Sequence, residues 1–156
     1  PEVVRFMRYN AHESVAETRA ILRGWAFAYE EEEDFYTWAV TLRETGALAG
    51  SIGLTQHEGV PEPGYTLAPA FWGQGIAREA LAAVLAYLAD EGGAERFAAC
   101  HAVANPASGA VLRSAGFQPE GEGSYESFDH TRVWPCIYYR LEAKDLVRGA
   151  PYRIVG

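Results

Sequence analysis

Cysteine is scarce in this chain of 156 residues. Cys100 and Cys136 are the only two, and neither sits in a Cys-x-x-Cys pair or a His/Cys cluster. A zinc site is therefore not expected, and both cysteines read as buried, reduced thiols. Long apolar runs are missing as well. None reaches the roughly 20 residues that a membrane span needs, and no signal peptide is evident. A reducing cytoplasm is the location these absences predict. Positive charge is in deficit, with 13 Lys+Arg against 21 Asp+Glu and a net charge of −8. That balance argues against general nucleic-acid binding and against an anionic membrane surface, and it suits a cationic or amine partner. Repeats, linkers and low-complexity segments are also lacking. The chain starts at Pro1 rather than Met, so the sequence is expected to be processed, excised or trimmed.

What remains has the size and the 49% hydrophobic content of one domain with its own core. Ser14-Val15-Ala16-Glu17 matches a capping box and predicts a helix to about Tyr29, ended by the acidic run Glu30 to Asp34. Aromatic and β-branched residues from Phe35 to Leu42, the turn Glu44-Thr45-Gly46 and the run Leu48 to Thr55 predict a hairpin. His57 to Pro63 reads as a loop and Tyr65 to Leu67 as a short strand. Ala77, Ala80, Leu81, Val84, Leu85 and Leu88 recur along one helical face, and Gly92-Gly93 stops that helix. Phe97 to Val103 is a predicted strand. Asn105-Pro106 caps and opens a short helix that Gly116 ends, and two strands follow over Phe117 to Phe128 and Val133 to Glu142. This order predicts a mixed α/β sheet flanked by helices.

The segment Gly64 to Leu81 carries the most information. A strand runs into Gly73-Gln74-Gly75 and then into a helix. Glycines there let the backbone approach a ligand, and the first helical turn offers free N–H groups and the positive end of a dipole, which together make an anion site. Arg78 stands where a dinucleotide fingerprint has its third glycine, and no Gly-Lys-Ser/Thr follows. Dinucleotide and nucleotide-triphosphate loops are thereby excluded. A hydrolase built on Cys100 and His101 is disfavoured too, because adjacent strand residues point to opposite faces.

Gly64-Tyr65-x-Leu67 followed by Trp72-Gly73-Gln74-Gly75-Ile76-Ala77-x-Glu79-Ala80 resembles the acetyl-CoA motif of GNAT N-acetyltransferases. Asn105-Pro106-Ala107-Ser108-x-x-Val111-Leu112-x-x-x-Gly116-Phe117 resembles the second signature of their RimJ/RimL-type branch. Those enzymes acetylate protein N-terminal amines, with relatives that use other amine acceptors. The resemblance implies a GNAT fold with a mostly antiparallel sheet, splayed between the fourth and fifth family strands. It implies one domain over residues 1–146 and a tail over 147–156. The family has a strand and a helix before the segment that starts here at Pro1. Trimming, or an edge strand from Tyr152 to Val155 within one chain or across a homodimer, would account for the difference.

The same resemblance implies acetyl-CoA as cosubstrate and no metal. Its pyrophosphate would lie on the amides of Gly73, Gln74, Gly75, Ile76 and Ala77, with Arg78 beside it. Trp72 replaces the family's Gln or Arg and would pack against cofactor or acceptor. The Leu67 N–H would bind the thioester oxygen, and Asn105 would contact the pantetheine. Leu112 stands where many relatives have a tyrosine, so Ser108 is the expected donor to the leaving thiolate. Ser108 also fits a plain helix-start hydroxyl. Glu62 is the expected base, with Glu58 and His57 as alternatives. The acceptor rim would draw on Glu30 and the acidic run, Tyr125, Asp129, His130 and Trp134. A peptide N-terminus and a small cationic amine remain open as acceptors. A module that binds CoA without chemistry, as a sensor or assembly part, is the other reading.

Overall fold

The computed structural model describes residues 2–31 and 36–151. The first helix, α1 (Val15–Glu31), starts at the predicted cap. Ser14 Oγ accepts the Glu17 N–H at 3.1 Å, and the Glu17 carboxylate reaches back to the Glu13 N–H at 2.6 Å, one residue beyond the usual box partner. None of the residues of α1 is buried. Glu32 to Phe35 and the proposed edge strand Tyr152 to Val155 lie outside the described residues.

Three strands follow, β1 (Thr37–Thr41), β2 (Leu48–His57) and β3 (Val60–Leu67), paired antiparallel in that order. The predicted loop over His57 to Pro63 is instead a two-residue hairpin turn and the first half of β3. Glu58 and Gly59 form the turn with positive φ of 51° and 77°, and His57 pairs with Val60. Pro61 and Pro63 look like strand breakers in sequence. Both occupy non-hydrogen-bonded pairs with β2, opposite Gln56 and Leu54, where a missing N–H costs that ladder nothing.

After a 3-10 turn at Pro69–Phe71 comes α2 (Ile76–Asp90). It buries Leu81, Ala82, Leu85, Ala86 and Leu88 and ends at the glycine pair, with Gly93 at φ 65°. The second sheet holds β4 (Arg96–Ala102), β5 (Gln118–Glu126) and β6 (Val133–Glu142) in the order β4-β6-β5, again antiparallel. Between β4 and β5 runs α3 (Pro106–Ser114), with the Asn105 side chain accepting the Ser108 N–H at 3.4 Å.

The core lies between the sheets and the helix pair α2 and α3. Phe97, Phe117, Leu81, Leu85, Leu112 and Leu141 are fully buried there, each contributing roughly 1.5–3 kcal/mol of apolar transfer. α3 sits close on β4 because Gly109 has no side chain: a Cβ there would collide with the His101 ring. The result is two three-stranded ladders rather than one continuous sheet. β3 and β4 lie side by side without pairing.

Candidate active site

Register sets which backbone groups of β3 face β4. The Ala68 N–H donates to the Ala49 carbonyl at 2.9 Å, so the even residues of β3 bond to β2. The odd residues turn their backbone groups toward β4. Pro61 and Pro63 bring no N–H to that edge. Tyr65 and Leu67 do, at the end where the opening lies. The Leu67 N–H is thus aimed into the space between the two sheets, as an added strand or an elongated ligand would require.

The glycine turn closes this end of the opening. Gly73 and Gly75 both adopt left-handed backbone, at φ 71° and 80°, and among the described residues nothing but the adjoining chain lies within 4 Å of where a Cβ would be at either. Gly75 is the N-cap of α2 and has no side chain to occupy the first-turn N–H groups. Gln74 folds back, its amide donating to the Ala70 carbonyl at 2.8 Å. Trp72 is about half exposed, and its indole N–H donates to the Leu67 carbonyl at 2.8 Å. A cleft of about 430 Å³ opens beside the turn. Its walls include Gln74, Gly75 and Arg78 on one side, and Ser114 with residues 147–150 on the other. Those last residues are held by the Val147 N–H on the Ala115 carbonyl at 3.0 Å and by a two-pronged Arg148–Asp90 ion pair. A free helix N-terminus, an arginine and an open cleft fit a phosphate-bearing cofactor.

Across the opening, Ser108 sits in the first turn of α3. Its Oγ lies 3.0 Å from the Tyr65 hydroxyl, which is also 3.1 Å from the Ser108 carbonyl. Burial pushes the Tyr65 phenol up to about 12, with the Ser108 hydrogen bond opposing that shift. Sequence reading passed over Tyr65 as a site residue, since its partner is 43 positions away.

On the opposite face of β3, Glu62 accepts the Cys100 S–H at 3.5 Å. Burial, followed by the Glu62 charge, raises the Cys100 thiol to about 12. Cys100 therefore stays protonated, and His101 points away from it into the core, against Tyr139 Oη at 3.1 Å. Glu62 also lines a groove of about 300 Å³ with His57, Glu120 and Tyr138. The His57 and Tyr138 rings stack at 6.5 Å. Glu58, by contrast, is exposed in the hairpin turn.

Tyr125, Asp129 and Trp134 are gathered at one end of β5 and β6, under an N-terminal segment that sequence reading left unassigned. Tyr125 Oη donates to the Phe6 carbonyl at 2.7 Å, and the Phe128 N–H donates to the Arg8 carbonyl at 2.8 Å. Arg8 covers the Tyr125 ring, and Arg132 covers Trp134. Asp129 accepts from Asn10, Ser127 and Thr131, and these bonds, Ser127 foremost, hold its carboxyl well below the usual range. His130 is exposed and meets Glu126 at 3.0 Å. Tyr9 bridges from this segment to Thr66 of β3 at 3.0 Å. Glu30 stands on another element, exposed on the last turn of α1. Among the described residues no three His, Cys, Asp or Glu side chains converge on a metal position, and no helix is long and apolar enough to cross a membrane.

The acetyltransferase (GNAT) domain family matches residues 1–118. This chain belongs to the GNAT acetyltransferase family. Such acetyltransferases draw their acetyl group from acetyl-CoA. It is 32% identical over 123 residues to the uncharacterised N-acetyltransferase YoaA of Bacillus subtilis (strain 168), covering 77% of this chain and 69% of that one. Solved GNAT structures share its fold. The acetyltransferase from Bacillus anthracis superposes with a TM-score of 0.76 at 22% identity, over 92% of this chain and 82% of that one. Spermidine N-acetyltransferase from Vibrio cholerae, in complex with CoA and spermine, gives 0.75 at 18% identity, over 92% and 84%. Ribosomal-protein-S5-alanine acetyltransferase from Vibrio fischeri gives 0.76 at 17%, over 92% and 81%. As a GNAT acetyltransferase, the chain is an N-acetyltransferase enzyme.

Proposed function

We propose that this acetyltransferase moves an acetyl group from acetyl-CoA directly to a primary amine, with no covalent enzyme intermediate. One observation carries the reading: the Leu67 amide, turned away from β2, faces the same opening that the glycine turn closes.

Bound acetyl-CoA supplies an activated thioester, whose carbonyl carbon takes the amine lone pair while the C–S bond breaks and its electron pair leaves on sulfur. The protein's part is positioning and charge. Amides of Gly73 to Ala77 and the Arg78 guanidinium hold the pyrophosphate. Asn105 contacts the pantetheine chain. The Leu67 N–H donates to the carbonyl oxygen as negative charge develops on it. Ser108 Oγ–H donates to the departing sulfur, whose free thiol pKa is near ~8.5 by analogy with cysteine. Glu62 accepts the proton that the amine sheds.

The acceptor enters by the face of β3 that carries Glu62, along the groove with Glu120, His57 and Tyr138. Tyr125, Asp129 and Trp134 then shape the far wall through the N-terminal segment. Neighbours named for spermidine and for a ribosomal protein put both acceptor types on trial. The test is incubation with acetyl-CoA and a panel of peptides with free N-termini, diamines and polyamines, read by CoA release and by the mass of the acetylated product. Acetylated amine is the expected result. Tight CoA binding with no release across the panel would overturn it in favour of a binding module.

A further inference from the structure

Tyr65 has no part in the reactions assigned above, yet its hydroxyl is where β3 meets α3. It faces two acceptors on one residue, Ser108 Oγ at 3.0 Å and the Ser108 carbonyl at 3.1 Å. A phenol has one proton to give. If that proton goes to the carbonyl, Ser108 Oγ–H donates back to Tyr65 and is consumed inside the protein. If it goes to Ser108 Oγ, the serine proton is free to point into the opening. The two arrangements share one set of heavy-atom positions and differ only in where two protons lie.

The backbone leaves this choice to Tyr65. The Ser108 N–H is held by the Asn105 cap at 3.4 Å, so the serine's main chain is fixed and its hydroxyl alone can turn. The phenol keeps its proton across the assay range, since burial raises it to about 12. Tyr65 also lies two residues before Leu67 on the same strand. One rigid element thus sets both the amide that faces the opening and the hydroxyl that orients the serine.

We propose that Tyr65 is the positioning residue for Ser108: its hydroxyl donates to Ser108 Oγ when a sulfur anion faces the serine, and so turns the serine proton onto that sulfur. No proton is transferred in this step. Tyr65 O–H and Ser108 O–H bonds stay intact, and the anion gains a donor backed by a second donor. The inference rests on the acetyltransferase reading for its catalytic consequence, and on the apo geometry for the hydrogen-bond pair.

The test compares CoA with desulfo-CoA, in which hydrogen replaces the thiol, by titration calorimetry between pH 6 and 10. Wild-type protein is expected to prefer CoA increasingly as pH rises, because the bound thiol ionises early. In Tyr65→Phe that preference falls about tenfold, Ser108→Ala loses as much, and the double variant loses no more than either. Affinity for desulfo-CoA stays unchanged in all three. Turnover of Tyr65→Phe falls by a similar factor with the same KM for acetyl-CoA. If Phe impairs folding, 3-fluorotyrosine at position 65 keeps the shape, makes a stronger donor and raises the preference for CoA. A wild-type CoA preference in Tyr65→Phe, additive losses in the double variant, or no response to fluorination would overturn the proposal. A wild-type protein that shows the thiol preference but acetylates no amine would instead overturn the acetyltransferase reading and leave the Tyr65–Ser108 pair standing.

Discussion

The Trp72 indole N–H donates to the Leu67 carbonyl oxygen at 2.8 Å, tying the glycine turn to the last residue of β3. The peptide unit after Leu67 is thereby fixed at the mouth of the opening, where the Leu67 amide has no strand partner among the described residues. Trp72→Phe keeps an aromatic ring and removes the tether. We expect a loss of about 1 kcal/mol in stability and about fivefold weaker acetyl-CoA binding, measured by thermal denaturation and calorimetry. Unchanged affinity would mean that the turn keeps its shape without the indole bond.

Gly75 tests the cradle itself. Its φ of 80° is costly for any L side chain, yet among the described residues a Cβ there would meet nothing but the adjoining chain within 4 Å. Gly75→Val therefore separates two effects. Backbone strain costs on the order of 1–2 kcal/mol and lowers Tm by several degrees. The added methyl groups stand in the space before the α2 N-terminus, so the calorimetric signal with acetyl-CoA should vanish. A folded Gly75→Val protein that still binds acetyl-CoA would show that the pyrophosphate lies elsewhere.

Local signals made much of this legible in the sequence. The face of α2 from Ala77 to Leu88, the Asn105 cap and the glycine turn each announce themselves within a few residues. The first half of β3 did not, because Pro61 and Pro63 are compatible with a strand only when register puts them in non-hydrogen-bonded pairs, and register is not local. The same prolines bring no N–H to the edge of β3 that faces β4. The segment over residues 2–10 has no periodicity. Its contacts reach residues far away in sequence, such as Phe6 with Tyr125 and Tyr9 with Thr66. The Tyr65–Ser108 pair was hidden for the same reason, though each residue lies inside a motif that was read.

Glu62 is the group whose removal should change the pH dependence of the reaction. It lines the groove with His57, Glu120 and Tyr138 and is oriented by the Cys100 S–H at 3.5 Å, a donor that keeps its proton because the thiol is raised to about 12. Glu62→Gln should lower kcat/KM for the amine about 100-fold and weaken the limb that rises toward alkaline pH. An unaltered profile would discard Glu62 as base and return attention to His57, beside it in the same groove.

Three groups, Tyr125 buried and Cys100 and Tyr65 half-buried, predict alkaline lability. Cys100, Tyr65 and Tyr125 are each raised to about 12, in every case chiefly by burial. In the unfolded chain they lose their protons near the ordinary values of 9.0 and 10.0. Folded protein holds those protons longer, so the stabilisation is fully present below about pH 9 and is lost as pH rises toward 12. Tm should be flat from pH 7 to 9 and then fall. Tyr125→Phe should shallow that fall, and an identical slope in the variant would assign the lability to other groups.

Asp129 ties the end of β5 and β6 to the N-terminal segment through one contact, Asn10 Nδ2 on Oδ2 at 2.8 Å. Its other oxygen is occupied by Ser127 and Thr131, at 2.6 and 2.8 Å. These bonds depress its pKa, so their contribution is present above the ordinary carboxylate value near ~3.9 and is lost as pH falls below it. Asp129→Asn keeps the shape but weakens the acceptor. The segment carrying Arg5 and Arg8 should then lift from β5 and β6 more often, and trypsin at pH 8 should cut after those arginines faster than in wild type. Acid should loosen the wild-type segment in the same way, seen as a change in Trp134 fluorescence as Arg132 leaves its ring. If cleavage is no faster in Asp129→Asn, the segment's other bonds, from Tyr125 to Phe6, Phe128 to Arg8 and Arg132 to Tyr9 and Asn10, hold it without Asp129, and Asp129 serves only its own turn.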